Sequence, residues 1–263
     1  VNAAMIKIME GFFGFTYNEA LMLVLGMMVL VSIYSSLSGL LGVAITDVIQ
    51  FTIAMVGCVI LAIVVLNTEK VGGISGLKVQ LPEWRFDFFP SLGGSNAVGT
   101  FSLSIGAFLS YGLIQWWASW YPGAEPGGGG YAAQRMMSAK NEKHAVYSSL
   151  FFNVAHYCLR PWPWIIVGLC ALVLYDLPVE ESSKGFVYAM RDYLPAGLKG
   201  LLLVAFIAAY MSTISTQLNW GSSFLTSDLY KRFFRPESSF ENEEKANKDY
   251  VQKARLFTIV IMV

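Results

Sequence analysis

The sequence predicts an all-α integral membrane protein. Of its 263 residues, 55% are hydrophobic and only 14% are charged, and the mean hydropathy is +0.53. Soluble domains average about 25% charged residues, and several segments here reach the roughly 20 apolar residues that a helix needs to cross a bilayer. The formal net charge is zero, and no basic patch indicates nucleic acid as a partner.

We expect one transmembrane domain with about five full spans and the start of a sixth. The chain begins with Val rather than Met and ends inside an apolar helix. We therefore expect an internal fragment that flanking helices of the same chain complete within the bilayer. The spans are expected at about residues 19–37, 44–66, 97–121, 145–175, 198–225 and, incompletely, 251–263.

The connections between these spans also have predictable features. A short hairpin, Ser38–Asp47, is expected to join the first two spans. Residues 67–96 contain several Gly and Pro residues and are expected to form a polar loop. A short amphipathic helix is expected around Phe186–Tyr193. The connections at 135–143 and 231–255 together hold ten Lys and Arg residues, so the positive-inside rule places them in the cytoplasm.

The fifth span carries a polar stripe. Ser212, Ser215, Thr216, Asn219 and Ser223 follow the spacing i, i+3, i+4, i+7, i+11 and share one helix face. Within lipid, such a face must contact protein, water or an ion. Hydroxyls offer oxygen ligands to a hard cation such as sodium without the burial of a full charge. On the stripe alone, the favoured explanation is helix packing, with hydroxyls bonded to i−4 carbonyls.

Three motifs resemble the sodium:solute symporter family. AAYMSTISTQLNWGSSFLTSDLYKRF, at 208–233, resembles the sodium-binding helix of that family. A second segment, residues 34–51, reads YSSLSGLLGVAITDVIQF and is similar to the family's Y-T-x-x-G-G-L-x-A-V-x-x-T-D-x-x-Q hairpin. A third segment, residues 131–145, reads YAAQRMMSAKNEKHA and is similar to the family's Q-R-x-x-x-A-K cytoplasmic turn. The motifs stand in the family's order, which makes the resemblance specific.

This resemblance implies a fold and a function. The fold would be part of the leucine-transporter-type inverted-repeat fold. The function would be sodium-coupled symport: a multi-pass protein of the cell membrane (inner or plasma membrane) that imports a small organic solute by alternating access. Sodium would be the coupling ion, and no enzymatic activity is expected.

The resemblance also implies ion-binding residues. A sodium ion would be held by the Ala209 carbonyl and by the hydroxyls of Ser212 and Thr213. Some members of the family hold a second sodium ion with hydroxyls one turn further along the helix and the hairpin aspartate. The residues that fit this second pattern are Asp47, Ser212, Ser215 and Thr216.

Candidate substrate residues lie in two places. Ser119, Trp120 and Tyr121 end the third span, where sugar-transporting members of the family contact their substrate. His156 and Arg160 lie one turn apart in the fourth span, and His156 occupies the position of a lysine in the sugar transporters. A buried guanidinium could pair bidentately with an anionic substrate group. Alternatively, Arg160 could stabilise a kink at the proline that follows it.

Two other classes of protein are alternatives to a symporter. A symporter-like membrane module attached to a signalling domain would act as a sensor rather than a transporter. A membrane enzyme is disfavoured because His144 and His156 have no nucleophile or acid–base partner nearby in the sequence. Cys58, Cys158 and Cys170 lack metal-ligand spacing and are expected to be packing residues.

Overall fold

The structure is a computed structural model that describes residues 1–87, 89–92, 102–115 and 136–262, excluding the side chains of 37–43, 115, 179 and 180. These residues are mainly helical, as expected. The α-helices are α1 (Asn2–Phe13), α2 (Tyr17–Leu66), α3 (Gly73–Gln80), α4 (Ile105–Leu109), α5 (Glu142–Asn153), α6 (Pro161–Leu174), α7 (Gly185–Tyr193), α8 (Ala196–Phe224) and α9 (Glu243–Met262).

Shorter elements connect the α-helices. π-Helical segments directly follow α4, α5 and α8, at Ser110–Gln115, Val154–Leu159 and Leu225–Phe234. The 3₁₀ turns are Glu83–Phe86, Val179–Lys184 and Glu237–Ser239. Two short parallel strands, β1 (Ser91–Leu92) and β2 (Ser102–Leu103), pair with each other.

Local sequence explains where several helices begin and end. Gly14, with φ of 72°, ends α1 in the left-handed conformation, and its N–H donates to the Glu10 carbonyl. Thr16 and Glu19 form a capping box at the start of α2, in which the Thr16 N–H donates to the Glu19 carboxylate at 2.8 Å. Asn141 caps α5 by accepting the His144 N–H at 3.0 Å.

Four helical stretches are long and apolar enough to cross a membrane. They are Tyr17–Ser36, Ala44–Leu66, Glu142–Leu174 and Ala196–Phe234. Ile105–Ile114 is a shorter apolar helix within the expected third span, whose two ends lie outside the described residues. The total number of spans stays a prediction.

The segment Ser38–Asp47, expected as a hairpin, is helical in the structure, because α2 runs from Tyr17 to Leu66. However, Ser35 and Asp47 both contact one turn of α8, at Ser215 and Ser212. In a straight helix these two α2 residues would lie about 18 Å apart. α2 therefore bends sharply between Ser35 and Asp47.

The described residues form two compact units. The first comprises Val1–Leu61 and Ser183–Val263, and the second comprises Ala62–Ser182. In the first unit, α1 packs on the predicted amphipathic helix α7, where Gly11 lies against Val187 and Lys184 pairs with Glu10 at 3.4 Å. The expectation of a single transmembrane domain stays a prediction.

The second unit contains a helix where a loop was expected. α3 lies within residues 67–96, between the end of α2 and the 3₁₀ turn. The Lys70 ammonium donates to the Leu174 carbonyl at 2.8 Å, and this hydrogen bond caps the C-terminus of α6. The Gln80 side-chain amide donates to the Val71 carbonyl at 3.2 Å. α3 also contacts α6 directly, so the prediction of a polar loop was wrong for the residues of α3.

α9 begins at Glu243, eight residues before the expected sixth span, and pairs with the end of α8. The Asp249 carboxylate accepts a 3.0 Å hydrogen bond from the Tyr230 hydroxyl and lies 3.5 Å from the Arg235 guanidinium. The Tyr250 hydroxyl donates to the Arg235 carbonyl at 2.9 Å. Hydrogen bonds and an ion pair of charged and aromatic side chains therefore hold the connection between α8 and α9 against α9.

Candidate ion site on α8

The polar stripe of α8 is partly buried within the first unit. Ser215 and Thr216 are buried, whereas Ser212 and Asn219 are half-buried. Hydroxyls at this depth need partners, since an unpaired polar group in an apolar setting is costly. The hydrogen-bond partners of these side chains therefore bear on the two explanations of the stripe, which are helix packing and an ion-binding site.

Ser212 and Asp47 are brought together in the structure. The Ser212 hydroxyl donates a short hydrogen bond to Oδ1 of Asp47, and the pair is partly buried. These two residues are 165 positions apart in the sequence, so their contact joins α2 to α8. A carboxylate and a hydroxyl thus meet near the middle of an apolar helix.

A second contact between α2 and α8 lies one turn away. The Ser215 hydroxyl donates to Oγ of Ser35 at 3.1 Å. The Ser35 hydroxyl lies 3.4 Å from the Ser215 carbonyl, and both side chains are buried. Ser35 was not among the predicted site residues, although it lies inside the motif at 34–51.

The remaining predicted ion ligands have different surroundings. Thr213 donates its hydroxyl to the Ala209 carbonyl at 2.9 Å, the i−4 bond that the packing interpretation expects. The carbonyl and the hydroxyl therefore lie side by side on one turn. Thr216 is buried one turn beyond Ser212 on the same face. The predicted residues lie together, while their role in binding sodium stays a prediction.

The ligand set suits a hard monovalent cation. The available atoms are carboxylate, hydroxyl and carbonyl oxygens, the ligands that hard cations prefer. In the part of the chain that the structure describes, no group of three or more His, Cys, Asp or Glu side chains could hold a metal ion. The one carboxylate, Asp47, would compensate the charge of a bound cation in a region of low dielectric constant.

Asn219 lies one turn further along the stripe. Among the residues that the structure describes, its Nδ2 atom is buried without a hydrogen-bond partner, whereas the Ser222 hydroxyl donates to the Asn219 carbonyl at 3.0 Å. Ser223 donates to the Trp220 carbonyl at 2.7 Å. Beyond Thr216, the hydroxyls of Ser222 and of the stripe residue Ser223 thus bond to carbonyls of their own helix.

The candidate substrate residues are in the second unit or outside the described residues. Ser119, Trp120 and Tyr121 lie outside the described residues. His156 and Arg160 contact each other, with Nη1 of Arg160 3.0 Å from Nδ1 of His156. The π-helical segment Val154–Leu159 places them at the junction of α5 and α6.

The chain is similar to characterised transporters over nearly its whole length. The profile of the sodium:solute symporter family matches residues 2–263. A sodium/proline symporter of Staphylococcus aureus (strain bovine RF122 / ET3-1) is 27% identical over 264 residues, which cover 98% of this chain and 46% of that protein. A second Staphylococcus aureus sodium/proline symporter is 26% identical over 261 residues. The chain thus spans about half the length of the curated relatives it matches.

A solved structure shares the fold. It is a Na⁺-coupled sialic acid symporter in a substrate-bound outward-open state, with a TM-score of 0.67 and 22% sequence identity. The match covers 100% of this chain and 54% of the symporter. That symporter has the leucine-transporter-type fold, which this chain shares over the matched part.

The helices and the comparisons agree. Four helical stretches are apolar and long enough to span a bilayer, and the family profile covers nearly every residue. The protein is thus a multi-pass protein of the plasma membrane. The chain belongs to the sodium:solute symporter family.

Proposed function

We propose that the protein is a sodium-coupled secondary symporter that imports a small organic solute by alternating access. Membership of the sodium:solute symporter family and the names of the relatives support this function. The observation that carries it is the hydrogen bond from the Ser212 hydroxyl to the Asp47 carboxylate, which joins the segment that resembles the family's sodium-binding helix to the segment that resembles its hairpin. None of the reported relatives favours the alternative of a sensor module.

One sodium ion would bind the Ala209 carbonyl and the hydroxyls of Ser212 and Thr213. A serine hydroxyl has one proton to donate and two lone pairs. The Ser212 proton points to Asp47, which turns its lone pairs towards a cation on the other side. Asp47 would therefore orient the ligand atom as well as supply negative charge.

A second sodium ion would use Asp47 directly, together with Ser212, Ser215 and Thr216. The bond of Ser215 to Ser35 supports this proposal, because it fixes the Ser215 side chain one turn along α8 from Ser212, which bonds to Asp47. Ser212 would then be shared by the two ions. A shared ligand makes the binding of the two ions interdependent.

The solute is proposed only as a class. The relatives transport proline or sialic acid by name, and both compounds are small organic molecules. L-proline and N-acetylneuraminic acid, a sialic acid, are therefore the first probes for the full-length protein.

The ion proposal is tested by the thermal midpoint of the purified full-length protein in sodium and in potassium at equal ionic strength. A ligand that binds only the folded state at 100 times its Kd stabilises it by about 2.7 kcal/mol. We expect a higher midpoint in sodium, and Ser212→Ala should abolish the difference.

The matched control is Ser223→Ala, because this hydroxyl lies on the same stripe but bonds only to its own helix. It should keep the sodium-specific rise. Equal midpoints of the unmodified protein in the two salts would contradict sodium binding at this site.

A further inference from the structure

We propose that Tyr210 and Asn2 position the Ala209 carbonyl for ion binding by holding α8 against α1. This inference rests on the proposed sodium symport and adds two positioning residues on the side of α8 that faces away from Asp47. It starts from a hydrogen bond in which the Tyr210 hydroxyl donates to Oδ1 of Asn2 at 3.0 Å. The two residues are 208 positions apart in the sequence, and the bond joins two helices of the first unit.

Tyr210 is buried inside an apolar stretch of α8. Only 3% of its surface is exposed, and it lies within the apolar stretch Ala196–Phe234. A tyrosine hydroxyl in such a place needs a hydrogen-bond partner, because an unpaired polar group in an apolar environment is costly. The Asn2 side chain supplies the acceptor. A phenylalanine ring has the same shape, so the hydroxyl adds this one contact and little else.

Asn2 lies at the exposed end of the face of α1 that packs inside the protein. Met5, Ile6 and Met9 are buried, and together with Asn2 they follow the spacing i, i+3, i+4, i+7 of one helix face. α1 and α8 also contact each other directly. The Asn2 amide therefore belongs to the side of α1 that is packed, and this is the side that reaches Tyr210.

The other end of α1 is held near the start of α7. The Gly11 carbonyl accepts a hydrogen bond from Nη1 of Arg191 at 3.1 Å, and a Cβ added at Gly11 would lie 3.1 Å from Cγ1 of Val187. The Lys7 ammonium also donates to the Ser183 hydroxyl at 3.0 Å. Because α1 is fixed at this end, the bond from Asn2 can restrain the position of α8.

Tyr210 lies on the opposite side of α8 from the contacts with α2. At 3.6 residues per turn, Tyr210 is about 200° around the helix axis from Ser212, whose hydroxyl donates to Asp47. α8 is therefore held between α2 on one side and α1 on the other. Supports on two sides restrain both the rotation and the sideways displacement of a helix.

The Ala209 carbonyl, a proposed sodium ligand, belongs to the peptide unit that ends at the nitrogen of Tyr210. A peptide unit is planar, so a restrained Tyr210 limits how far this carbonyl can turn. The Thr213 hydroxyl donates to the same carbonyl at 2.9 Å, which places two proposed ligands beside the restrained residue. Ligands that are held in place before the ion binds raise its affinity, because less conformational freedom is lost on binding.

The test measures the sodium affinity of the full-length protein from the rise of the thermal midpoint with sodium concentration, with potassium as the reference salt. Tyr210→Phe removes only the hydroxyl, so the apparent Kd for sodium should rise about three- to tenfold, the range that one neutral hydrogen bond can provide. Asn2→Ala should raise the Kd by a similar factor. Because both variants remove the same bond, the double variant should bind sodium no more weakly than either single variant.

Tyr250→Phe is the matched control. The Tyr250 hydroxyl also makes one hydrogen bond, to the Arg235 carbonyl at 2.9 Å, and the residue is only 9% exposed, but it lies at the junction of α8 and α9. We expect this variant to lower the midpoint in potassium, as Tyr210→Phe does, and to keep the sodium Kd of the unmodified protein. A purely structural role of Tyr210 would lower the midpoint in both variants and leave both Kd values unchanged.

Two outcomes would overturn the inference. They are an unchanged sodium Kd in Tyr210→Phe, and losses of affinity in the two single variants that add up in the double variant. If one variant does not fold, the Kd of the other decides. Both outcomes leave the symporter proposal in place, since sodium still raises the midpoint of the unmodified protein. Absence of that rise would instead contradict ion binding, and with it both the proposed function and the inference.

Discussion

The hydroxyls of Ser215 and Ser35 form a buried 3.1 Å hydrogen bond that joins α8 to α2. It lies one turn from the bond between Ser212 and Asp47. The two contacts together position the proposed ion ligands, so their energetic coupling can be measured. Each serine should contribute more to the free energy of unfolding when its partner serine is present than when that partner is replaced.

Ser35→Ala should destabilise the protein, because it leaves the Ser215 hydroxyl buried without this partner. The expected cost is about 1–3 kcal/mol. The double variant Ser35→Ala/Ser215→Ala should lose less than the sum of the single variants, since no lone hydroxyl is then left. A double-mutant cycle on the unfolding free energy measures this difference. Strictly additive losses would show that the hydrogen bond does not contribute.

Asp47→Asn should weaken sodium binding while it preserves side-chain size. The amide cannot compensate a cation, so the sodium concentration for half-maximal uptake should rise at least about tenfold, which corresponds to about 1.4 kcal/mol. If two ions bind, the Hill coefficient for sodium should exceed one in the unmodified protein and fall to one in the variant.

Sodium titrations of uptake measure both quantities. Asp176→Asn, a carboxylate outside the four apolar stretches, serves as the control and should behave like the unmodified protein. A Hill coefficient of one in the unmodified protein would count against the second ion.

Asp249→Asn should loosen the junction of α8 and α9. The carboxylate accepts from the Tyr230 hydroxyl and pairs with Arg235, and hydrogen bonds to charged groups are worth about 1.5–3 kcal/mol. Lys245→Ala is the comparison, because its i,i+4 pair with Glu241 is exposed and should contribute only about 0.3–0.5 kcal/mol. Unfolding free energies of both variants are measured. Equal losses would show that the junction is no stronger than a surface pair.

Gly76→Ala should be strongly destabilising. An added Cβ would lie 1.9 Å from the Val71 carbonyl oxygen, so the backbone has to move, at a cost of about 3 kcal/mol. Gly26→Ala is the matched control, since an added Cβ there meets nothing within 4 Å and alanine favours the helix. Thermal unfolding of both variants tests the contrast. A stable Gly76→Ala protein would show that α3 does not pack closely on the turn before it.

The sequence predicted the helices better than their junctions. The length of the apolar runs identified the two apolar stretches within α2 and the apolar part of α8, because a helix needs about 20 apolar residues to cross a bilayer. The helix α3 was missed because Gly72 and Gly73 suggest a loop, and what holds its eight residues is contact with the end of α6. A helix of eight residues that is held by tertiary contacts shows no clear hydrophobic periodicity in its amino-acid sequence.

The candidate site was predicted in part, and by motif rather than by periodicity. The resemblance to the family suggested Asp47 and Ser212 together, and the structure brings them into contact. Ser35 was missed because a serine in a helix commonly bonds to its own backbone. The contact between His156 and Arg160 joins side chains one turn apart, and their spacing of four residues in the sequence already suggested it.

The bend in α2 has a mechanical consequence. Ser35 and Asp47 lie on opposite sides of the bend, yet they restrain α8 at two points less than one turn apart. Rotation of α8 about its own axis would break both restraints at once. A cation that draws Asp47 away from Ser212 would release one restraint and leave α8 attached to α2 through Ser215 alone. The bound ion would thereby change the torsional stiffness of α8.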